Sequence, residues 1–454
     1  MARQTLPSVP LRACLLAIVA AVGLAASARA AHVERVVSPG GIEAWLVVDR
    51  SNPILAMEAL FRGGSALDPV GKEGLADMAT SLLDEGAGPY DASAFQQRLE
   101  DRSIQLGFGA SRDGLSVTLR TLTRQRDEAV AMLRLALTEP RFDAAAVERV
   151  RSQKVAGLRR SAEEPNTIAG RTWVWAAFPD HAYGRPSQGT LASVGRVTAD
   201  DMRAFVRQRF VRAGMAIGVV GDIDAAALAP LLDQAFGALP REGASPDVPR
   251  TTPSAQGRLL VVEKDIPQSR ALFGHAGIAR DDPDWYAALV VNHVLGGSGL
   301  NSRLAHEIRE KRGLAYGVST GLSPLEGAPI IQGSVATANE RIAESIDLIR
   351  QEWRRMRDEG PTESEIADAK TYLVGSFPLQ LATTRGLAST LVSMQRYALG
   401  IGHIQERAAL IERVSAADVR RVARRLLIPD ELFIVVVGKP SGLQGAERVS
   451  PPDG

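Results

Sequence analysis

The sequence predicts an α+β fold that arose by tandem duplication of a two-layer α/β unit, with helices flanking a largely antiparallel sheet in each copy. Three observations support this prediction. The chain has 454 residues, which is too long for one ordinary core. Two segments, 198–221 and 415–438, match each other without a gap. Between them, a proline-rich stretch without apolar periodicity separates two runs of elements that begin in a similar way.

The repeated segment is the strongest of the three observations. Both copies are 24 residues long, and each predicts a helix followed by a strand. The identical positions are Ala199 and Ala416, Asp201 and Asp418, Arg203 and Arg420, Arg207 and Arg424, and the Val-Val-Gly triplets 219–221 and 436–438. A weaker echo aligns residues 59–61 with 271–273, and Asp68-Pro69 with Asp282-Pro283. Matches at this density are improbable by chance.

The amino terminus differs in kind from the rest of the chain. Arg3 and Arg12 precede an apolar run over 13–26, and Ala30 ends an Ala-Arg-Ala sequence, which predicts a secretory signal peptide cleaved after Ala30. Cys14 is the only cysteine and lies in this segment, so the mature chain has none for disulfides. No later run is long enough to span a membrane. We expect a bacterial periplasmic protein without a membrane span.

Composition adds an exclusion and the domain plan. Net charge is +1, with 53 basic against 52 acidic residues, so nucleic-acid binding is not expected. The stretch with Pro240, Pro246, Pro249 and Pro253 predicts a linker. The predicted plan is a signal peptide at 1–30, an N-terminal domain at 31–240, a linker at 241–257, a C-terminal domain at 258–440 and a tail at 441–454.

Apolar periodicity and turn residues predict the elements of both halves. The first half should contain strands over 42–48 and 54–61 paired across a turn, helices over 74–85 and 92–100, strands over 104–110 and 115–119, helices over 125–138, 143–161 and 199–210, and a strand over 215–220. The second half should be mostly helical after residue 340, with helices over 342–356, 363–373, 384–399 and 416–427. Thr362 and Glu365 have the spacing of a capping box.

Residues 295–316 form the best candidate functional segment. Glycines at 296, 297 and 299 predict a turn into a helix with Leu300, Leu304 and Ile308 on one face. Gly313 should cap that helix in a left-handed conformation before a strand. Arg309 precedes Tyr316 by seven positions, so a tight turn would aim a guanidinium and a phenol into one cleft. Spacing alone favours the simpler reading, a capped helix with a solvated basic end.

Other catalytic patterns are weak. None of the six histidines lies in an H-E-x-x-H or H-x-x-E-H sequence. His293 and His306 could approach the second-half cleft, but no Cys or Asp joins them at a ligand spacing. Ser65 and Ser298 lack the G-x-S-x-G elbow of serine hydrolases. The sequence therefore predicts no metal site built from this chain alone.

Two halves of this size, with LGGSGLNSRLAHEIREKRGLAY in the second, resemble the pitrilysin (insulinase) family of inverted zinc metallopeptidases, which includes mitochondrial processing peptidase. The sequence FPDHAYGRP at 178–186, followed by Gly189-Thr190, resembles another stretch common in that family. The resemblance covers nearly the whole mature chain and implies a fold of the LuxS and mitochondrial processing peptidase type. It is most specific over 302–316, where it implies Arg309 and Tyr316 as site residues.

One departure from the family is equally informative. The resemblance places H-x-x-E-H on the helix after a Gly-x-Ala, but here Gly74-Leu75-Ala76 is followed by Asp77, Thr80 and Ser81 at the three positions. The family's third ligand, a glutamate, would fall between residues 154 and 160, where there is none. We expect no zinc and no other cofactor in this chain.

The resemblance therefore implies the non-zinc subunit of a heterodimeric metallopeptidase. Zinc would be bound by a homologous partner bearing H-x-x-E-H, and Arg309 and Tyr316 would act in trans on a peptide substrate. The alternative is a catalytically silent structural or peptide-binding homologue of the same fold. A third and remote hypothesis is an independent enzyme that uses His181 or His293.

Overall fold

The computed structural model describes residues 32–243 and 247–452. The predicted signal peptide and Cys14 lie outside the described residues. Within them, no helix combines the length and the apolar character that crossing a membrane requires.

The strands of the described residues form two six-stranded sheets. The first contains β1 (Glu34–Val37), β2 (Glu43–Val48), β3 (Ile54–Arg62), β4 (Gln105–Ala110), β5 (Gly114–Leu122) and β6 (Ala216–Gly221), in the order β1-β2-β6-β3-β5-β4. The second contains β7 (Leu259–Glu263), β8 (Gln268–Ala276), β9 (Ala315–Ser323), β10 (Ile330–Ala338), β11 (Phe433–Gly438) and β12 (Glu447–Arg448), in the order β12-β7-β11-β8-β10-β9. Five successive strands correspond between the sheets, which confirms the predicted duplicated α+β fold.

Helices flank both sheets. Those of the first half are α1 (Leu75–Thr80), α2 (Ala92–Asp101), α3 (Arg126–Thr138), α4 (Ala144–Ser161), α5 (Pro165–Ala177), α6 (Leu191–Arg196), α7 (Ala199–Arg209) and α8 (Ala225–Phe236). Those of the second are α9 (Trp285–Asn292), α10 (Arg303–Ala305), α11 (Ile342–Asp358), α12 (Glu363–Gly375), α13 (Phe377–Gln380), α14 (Thr384–Arg396), α15 (His403–Glu412) and α16 (Ala416–Leu426). The predicted capping box of Thr362 and Glu365 begins α12, as expected.

The repeated segments adopt the same structure in both halves. Helices α7 and α16 each begin with a capping box, formed by Thr198 with Asp201 and by Ser415 with Asp418. The strands that follow, β6 and β11, are buried at every residue and run parallel to one neighbour and antiparallel to the other. Both end in a glycine with nearly the same positive φ, 148° at Gly221 and 150° at Gly438. In both halves the Val-Val-Gly triplet thus ends a central, buried strand, and its glycine is the residue at which the chain leaves the strand.

Two local predictions for the first half are wrong. Strands β2 and β3 do not pair, because the apolar strand β6 lies between them, parallel to β2 and antiparallel to β3. The helix predicted over 74–85 ends at Thr80. Beyond it, tighter turns replace the helix: Leu82 N–H donates to Ala79 O and Glu85 N–H to Leu82 O, both at 3.2 Å.

The predicted echo between residues 59–61 and 271–273 is displaced by two positions. Met57 pairs with Val219 in the first sheet, and Ala271 pairs with Val436 in the second. Since Val219 and Val436 are equivalent, Met57 corresponds to Ala271. A shift of two keeps each side chain on the same face of the sheet, which is why the apolar pattern concealed it. Asp68 and Asp282 then stand equally far along the chain from their strands.

One helix of each half covers the sheet of the other half. Helix α5 packs on β8 and β11, where Trp173 is fully buried and its Nε1–H donates to Phe433 O at 3.3 Å. Helix α14 packs on β3 and β6, where the Gln395 side chain accepts from Ile217 N at 3.2 Å and donates to Ile217 O at 2.8 Å. A Cβ at Gly218 would lie 2.3 Å from Ala388 O, so this contact requires glycine. The halves are interlocked by the exchange.

Candidate functional site

Residues 293–310 form an irregular helical path beneath β9. Two π-helical segments, His293–Gly297 and His306–Glu310, flank a 3-10 turn at Gly299–Asn301 and the short helix α10. Glycine is required at 296, where a Cβ would lie 2.9 Å from Thr320 N of β9. The helix begins after Ser302, which accepts from Ala305 N–H. Leu300 precedes it and is 54% exposed, so its predicted place on the buried face is wrong. The other two predicted residues, Leu304 and Ile308, are buried.

The turn after this helix returns the chain directly into the edge strand of the second sheet. Gly313 has a φ of 57°, which confirms the predicted left-handed cap. Leu314 N–H donates to Ile308 O at 2.8 Å and Gly313 N–H donates to Arg309 O at 3.0 Å. Strand β9 then begins at Ala315 and pairs with β10 alone.

This turn brings Arg309 and Tyr316 together. The Arg309 guanidinium carbon lies 5.3 Å from the centre of the Tyr316 ring, within the range of a cation–π contact. The Tyr316 side chain is 89% exposed although it is a large aromatic residue. Within the described part of the chain, neither side chain has a hydrogen-bond or ion-pair partner. The chemical role assigned to the pair stays a prediction.

Ion pairs fix the helix that carries Arg309. The Glu307 side chain is nearly buried and accepts from Lys311 Nζ at 2.5 Å and from Arg312 Nη1 at 2.7 Å. Burial by itself would raise the pKa of Glu307, but these hydrogen bonds outweigh it and lower the pKa. Arg312 is therefore a structural cation, whereas Arg309 on the same turn has no ion-pair partner among the described residues.

A second ion pair joins this segment to α12. Arg303 donates through Nε and Nη2 to the two carboxylate oxygens of Glu365, both at 2.7 Å. Burial opposes the charge on Glu365, but hydrogen bonds from Arg303 and Thr362 bring its pKa to about 2. Sequence reasoning identified Glu365 only as a capping residue. The only signal in the sequence is that the two residues have opposite charges. No local pattern around either residue indicates that they pair.

In the first half, the side chains of Asp77 and Thr80 on α1 and of Ser81 at its C-terminal end are occupied by internal contacts. Lys154 Nζ, on α4, donates to Asp77 Oδ2 at 2.5 Å. The hydroxyl of Thr80 donates to Ala76 O at 2.8 Å, and that of Ser81 donates to Asp77 O at 2.7 Å. Both hydroxyls thus satisfy the backbone of their own helix.

Residues 196–373 match the family model described as the inactive domain of peptidase M16. A non-peptidase homologue from Helicobacter pylori is 27% identical over 398 residues, covering 87% of this chain and 92% of the relative. A crystal structure of a peptidase M16 inactive domain from Pseudomonas fluorescens superposes with a TM-score of 0.85 at 26% identity, covering 93% of this chain and 99% of that one.

Over most of its length the chain is similar to proteins described as inactive or non-peptidase members of the M16 peptidase family. The predicted resemblance to inverted zinc metallopeptidases is thereby confirmed. An uncharacterised zinc protease from Streptomyces coelicolor is 30% identical over 271 residues, which span 58% of this chain and 59% of that protein. A chain of Complex III2 from Candida albicans, at 15% identity and a TM-score of 0.74, shares the fold alone.

The residues of this chain do not fit zinc at the expected helix. Zinc needs neutral imidazoles, thiolates or free carboxylates. Here Asp77 already pairs with the Lys154 ammonium, and the hydroxyls of Thr80 and Ser81 are turned to backbone carbonyls. Across residues 32–243 and 247–452, no group of three or more His, Cys, Asp or Glu side chains could hold a metal ion.

The histidines at positions 181, 275 and 293 make structural contacts. His181 Nε2 lies 2.9 Å from Pro249 O, and its Nδ1 accepts from Tyr183 N–H. The His293 ring lies 4.8 Å from the Tyr372 ring, and burial lowers the pKa of His293. Burial also lowers the pKa of His275, which accepts from Trp353, to about 4. These contacts offer no support for an independent enzyme based on His181 or His293.

The 178–186 segment, which carries part of the predicted family resemblance, links the two halves. The Tyr183 hydroxyl donates to Asp113 Oδ1 at 2.5 Å and accepts from Gly327 N–H at 2.8 Å. Arg185 donates to Asp68 O and Ala66 O, both at 2.7 Å. Within the described residues its contacts are structural.

Proposed function

We propose that this chain is the non-zinc subunit of a heterodimeric periplasmic metallopeptidase, and that Arg309 and Tyr316 act on a peptide held at the zinc of an H-x-x-E-H-bearing partner. The observation that carries the proposal is the Arg309–Tyr316 pair itself. An unpaired guanidinium lies 5.3 Å from an 89% exposed phenol ring at the edge of the second sheet.

The chemistry of peptide hydrolysis suits such a pair. Attack on a peptide carbonyl places negative charge on its oxygen, and a donor fixed in advance stabilises that charge in the transition state. The Tyr316 hydroxyl has no acceptor within the described part of the chain, so its proton is available to a substrate oxygen. Arg309 can hold a second carbonyl or a carboxylate of the peptide through its planar donors. The ion pairs of Glu307 and Arg303 keep the supporting helix in place.

The need for a partner follows from the first half. Its α1 carries an ion pair and two backbone-bonded hydroxyls where the resemblance places zinc ligands. Zinc and water activation must then come from another chain, and relatives described as zinc proteases are candidates for that type of partner. The periplasmic location rests on the predicted signal peptide.

The alternative is a silent structural or peptide-binding protein of the same fold. One observation favours it: the Helicobacter pylori relative, which aligns over 92% of its own length, is described as a non-peptidase homologue. Both proposals share the fold and the absence of a zinc helix. They differ in whether Arg309 and Tyr316 contact a reacting substrate.

Reconstitution distinguishes the two. The mature chain would be mixed with an H-x-x-E-H homologue from the same genome, and cleavage of a quenched fluorescent peptide mixture would be followed. We expect little activity from either chain alone, strong activity from the mixture, and zinc in the partner only. A partner that is fully active alone, with no change on adding this chain, would establish the silent alternative.

A further inference from the structure

A second concave site lies at the contact between the two halves. It is a cavity of about 520 Å³, within the size range of small-ligand pockets. Helix α5 and the segment after it form one wall, and β8 and β10 of the other half form the opposite wall through Leu272 and Gln332. None of its lining residues belongs to the Arg309–Tyr316 site.

The lining of this cavity is cationic. Three arginines, Arg112, Arg171 and Arg185, contribute to it, and its described lining includes neither Asp nor Glu. Apolar surface comes from Val174, Trp175 and Leu272. The combination suits a ligand with an anionic end and an apolar body.

Arg171 is the guanidinium that remains available. Arg112 Nη1 already donates to Tyr183 O at 2.7 Å, and Arg185 donates to two carbonyls. Arg171 makes only a long contact, 3.5 Å from Nη2 to Gly189 O, and no carboxylate of the described residues pairs with it. Burial lowers the pKa of Arg171, since desolvation disfavours a cation without a counter-ion. A bound anion would supply the missing partner.

The shape of α5 provides space beside this cation. Gly170 occupies the middle of the helix, where glycine is unfavourable, and a Cβ placed there would meet nothing within 4 Å. Trp175 follows Arg171 by four residues, so the two side chains share a face, and Trp175 is 44% exposed. The side-chain amides of Gln188 and Gln332 add donors and acceptors that suit a peptide backbone.

We propose that this cavity binds the carboxyl terminus of a peptide ending in an apolar residue. Arg171 binds the terminal carboxylate, Trp175 packs against the apolar side chain, and the two glutamines pair with the backbone. This site is independent of the Arg309–Tyr316 pair and of any zinc-bearing partner.

The test uses the intact chain and two probes, acetyl-Ala-Ala-Leu with a free carboxylate and the same peptide as its amide. Calorimetry should show binding of the acid at least about tenfold tighter than the amide, since a charge-assisted bidentate contact is lost in the amide. Equal affinities, or no binding of the acid at millimolar concentration, would overturn the proposal.

Two variants locate the site. Arg171→Gln removes the cation, and Gly170→Leu fills the cavity without changing charge; each should weaken binding of the acid by about tenfold or more. The matched controls are Arg159→Gln and Gly157→Leu on α4, where Arg159 is exposed and a Cβ at 157 also meets nothing within 4 Å. The controls should bind as the parent does. Because the variants act through different properties, full binding by either one in a folded state contradicts the assignment.

Discussion

Asp68 in the first half and Asp282 in the second occupy equivalent positions, but the pKa values of their carboxyl groups are shifted in opposite directions. Asp68 is buried and accepts from Gly74 N–H at 2.9 Å and Ala76 N–H at 3.1 Å. Burial outweighs these bonds and raises its pKa to about 7. Asp282 instead pairs with Arg425, which lowers its pKa. Duplication has kept the residue and its place before a helix, while the surroundings have set its charge independently.

The helical segments that follow these aspartates differ in the same way. In the first half, Asp77 is neutralised by Lys154, so the helix presents no unpaired charge there. In the second half, the path from α9 ends in an unpaired Arg309 over an exposed Tyr316. The same architecture therefore has a closed polar site in the first half, where Lys154 pairs with Asp77, and an open polar site in the second half, where Arg309 and Tyr316 are free to contact a ligand. The proposed function depends on the open site, so substitutions there should have the larger effects on activity.

The largest expected effect is that of Tyr316→Phe in the reconstituted complex. Turnover should fall by roughly ten- to a thousandfold, the usual range for losing one transition-state donor, while peptide binding is retained. The matched control in the other half is Tyr90→Phe, because Tyr90 also lies beneath an arginine, with Arg98 Cζ 5.2 Å from its ring. Steady-state kinetics of both variants should differ by at least about tenfold. Equal turnover would assign no special role to the second half.

Asp68→Asn addresses the buried carboxyl group. The asparagine side chain has a single carbonyl oxygen, so it can accept from only one of the two backbone N–H groups that donate to Asp68. We therefore expect a loss of about 1–3 kcal/mol in the free energy of unfolding. The matched change, Asp282→Asn, removes a charge from a more exposed ion pair and should cost about 1 kcal/mol or less. Chemical denaturation at about pH 4.5, where Asp68 is protonated in the folded state and Asp282 is ionised, measures both. A larger loss for Asp282→Asn than for Asp68→Asn would contradict the buried environment assigned to Asp68 and the more exposed one assigned to Asp282.

The two carboxyl groups should also change the free energy of unfolding with pH in opposite directions. The pKa of Asp68 is raised in the folded state, so its contribution is full below the unfolded value of about 4 and is lost as pH rises towards 7. The pKa of Asp282 is lowered, so its contribution is present above about pH 4 and is lost as pH falls. Asp68→Asn should flatten the stability profile between about pH 4 and 7, and Asp282→Asn should flatten it on the acid side. Identical profiles for the two variants would contradict this.

Arg309→Ala should have a more moderate effect. Loss of its donors should raise KM about tenfold and change kcat less, since the guanidinium positions peptide rather than transferring protons. Arg98→Ala is the control in the first half, where the same type of contact lies outside the proposed site. Arg312 is unsuitable as a control because it holds Glu307 on the helix that carries Arg309, whereas the ion pair of Arg98 with Glu128 lies in the first half. A fall in kcat with KM unchanged would show that Arg309 acts in the chemical step instead.

The sequence predicted features that are encoded locally. The capping box at Thr362, the left-handed Gly313 and the seven-residue spacing to Tyr316 all depend on neighbouring residues, and the structure contains them. The duplication was visible because its best segment includes a wholly buried strand, whose composition is tightly restricted.

Features that depend on distant residues were missed. The β2–β3 hairpin was wrong because the strand between them, β6, comes from much later in the chain. Helix α5 was not predicted, although it covers the opposite sheet through Trp173. The Arg303–Glu365 pair likewise joins segments that no local pattern relates. These contacts position the site, but the residues that make them are brought together by tertiary packing.

The smallest expected effect concerns the closed site of the first half. Lys154→Met removes the ammonium from Asp77 and leaves a half-buried carboxylate without its ion pair. Such pairs contribute little, so the free energy of unfolding should fall by about 0.5–1 kcal/mol, and high salt should reduce the difference further. The double variant with Asp77→Asn isolates the coupling, because it removes both charges together. Denaturation of the four proteins at low and high salt should give a coupling energy that is positive and screened. A coupling of zero would mean that the ammonium does not neutralise Asp77, and the contrast between a closed and an open half would then rest on Arg309 and Tyr316 alone.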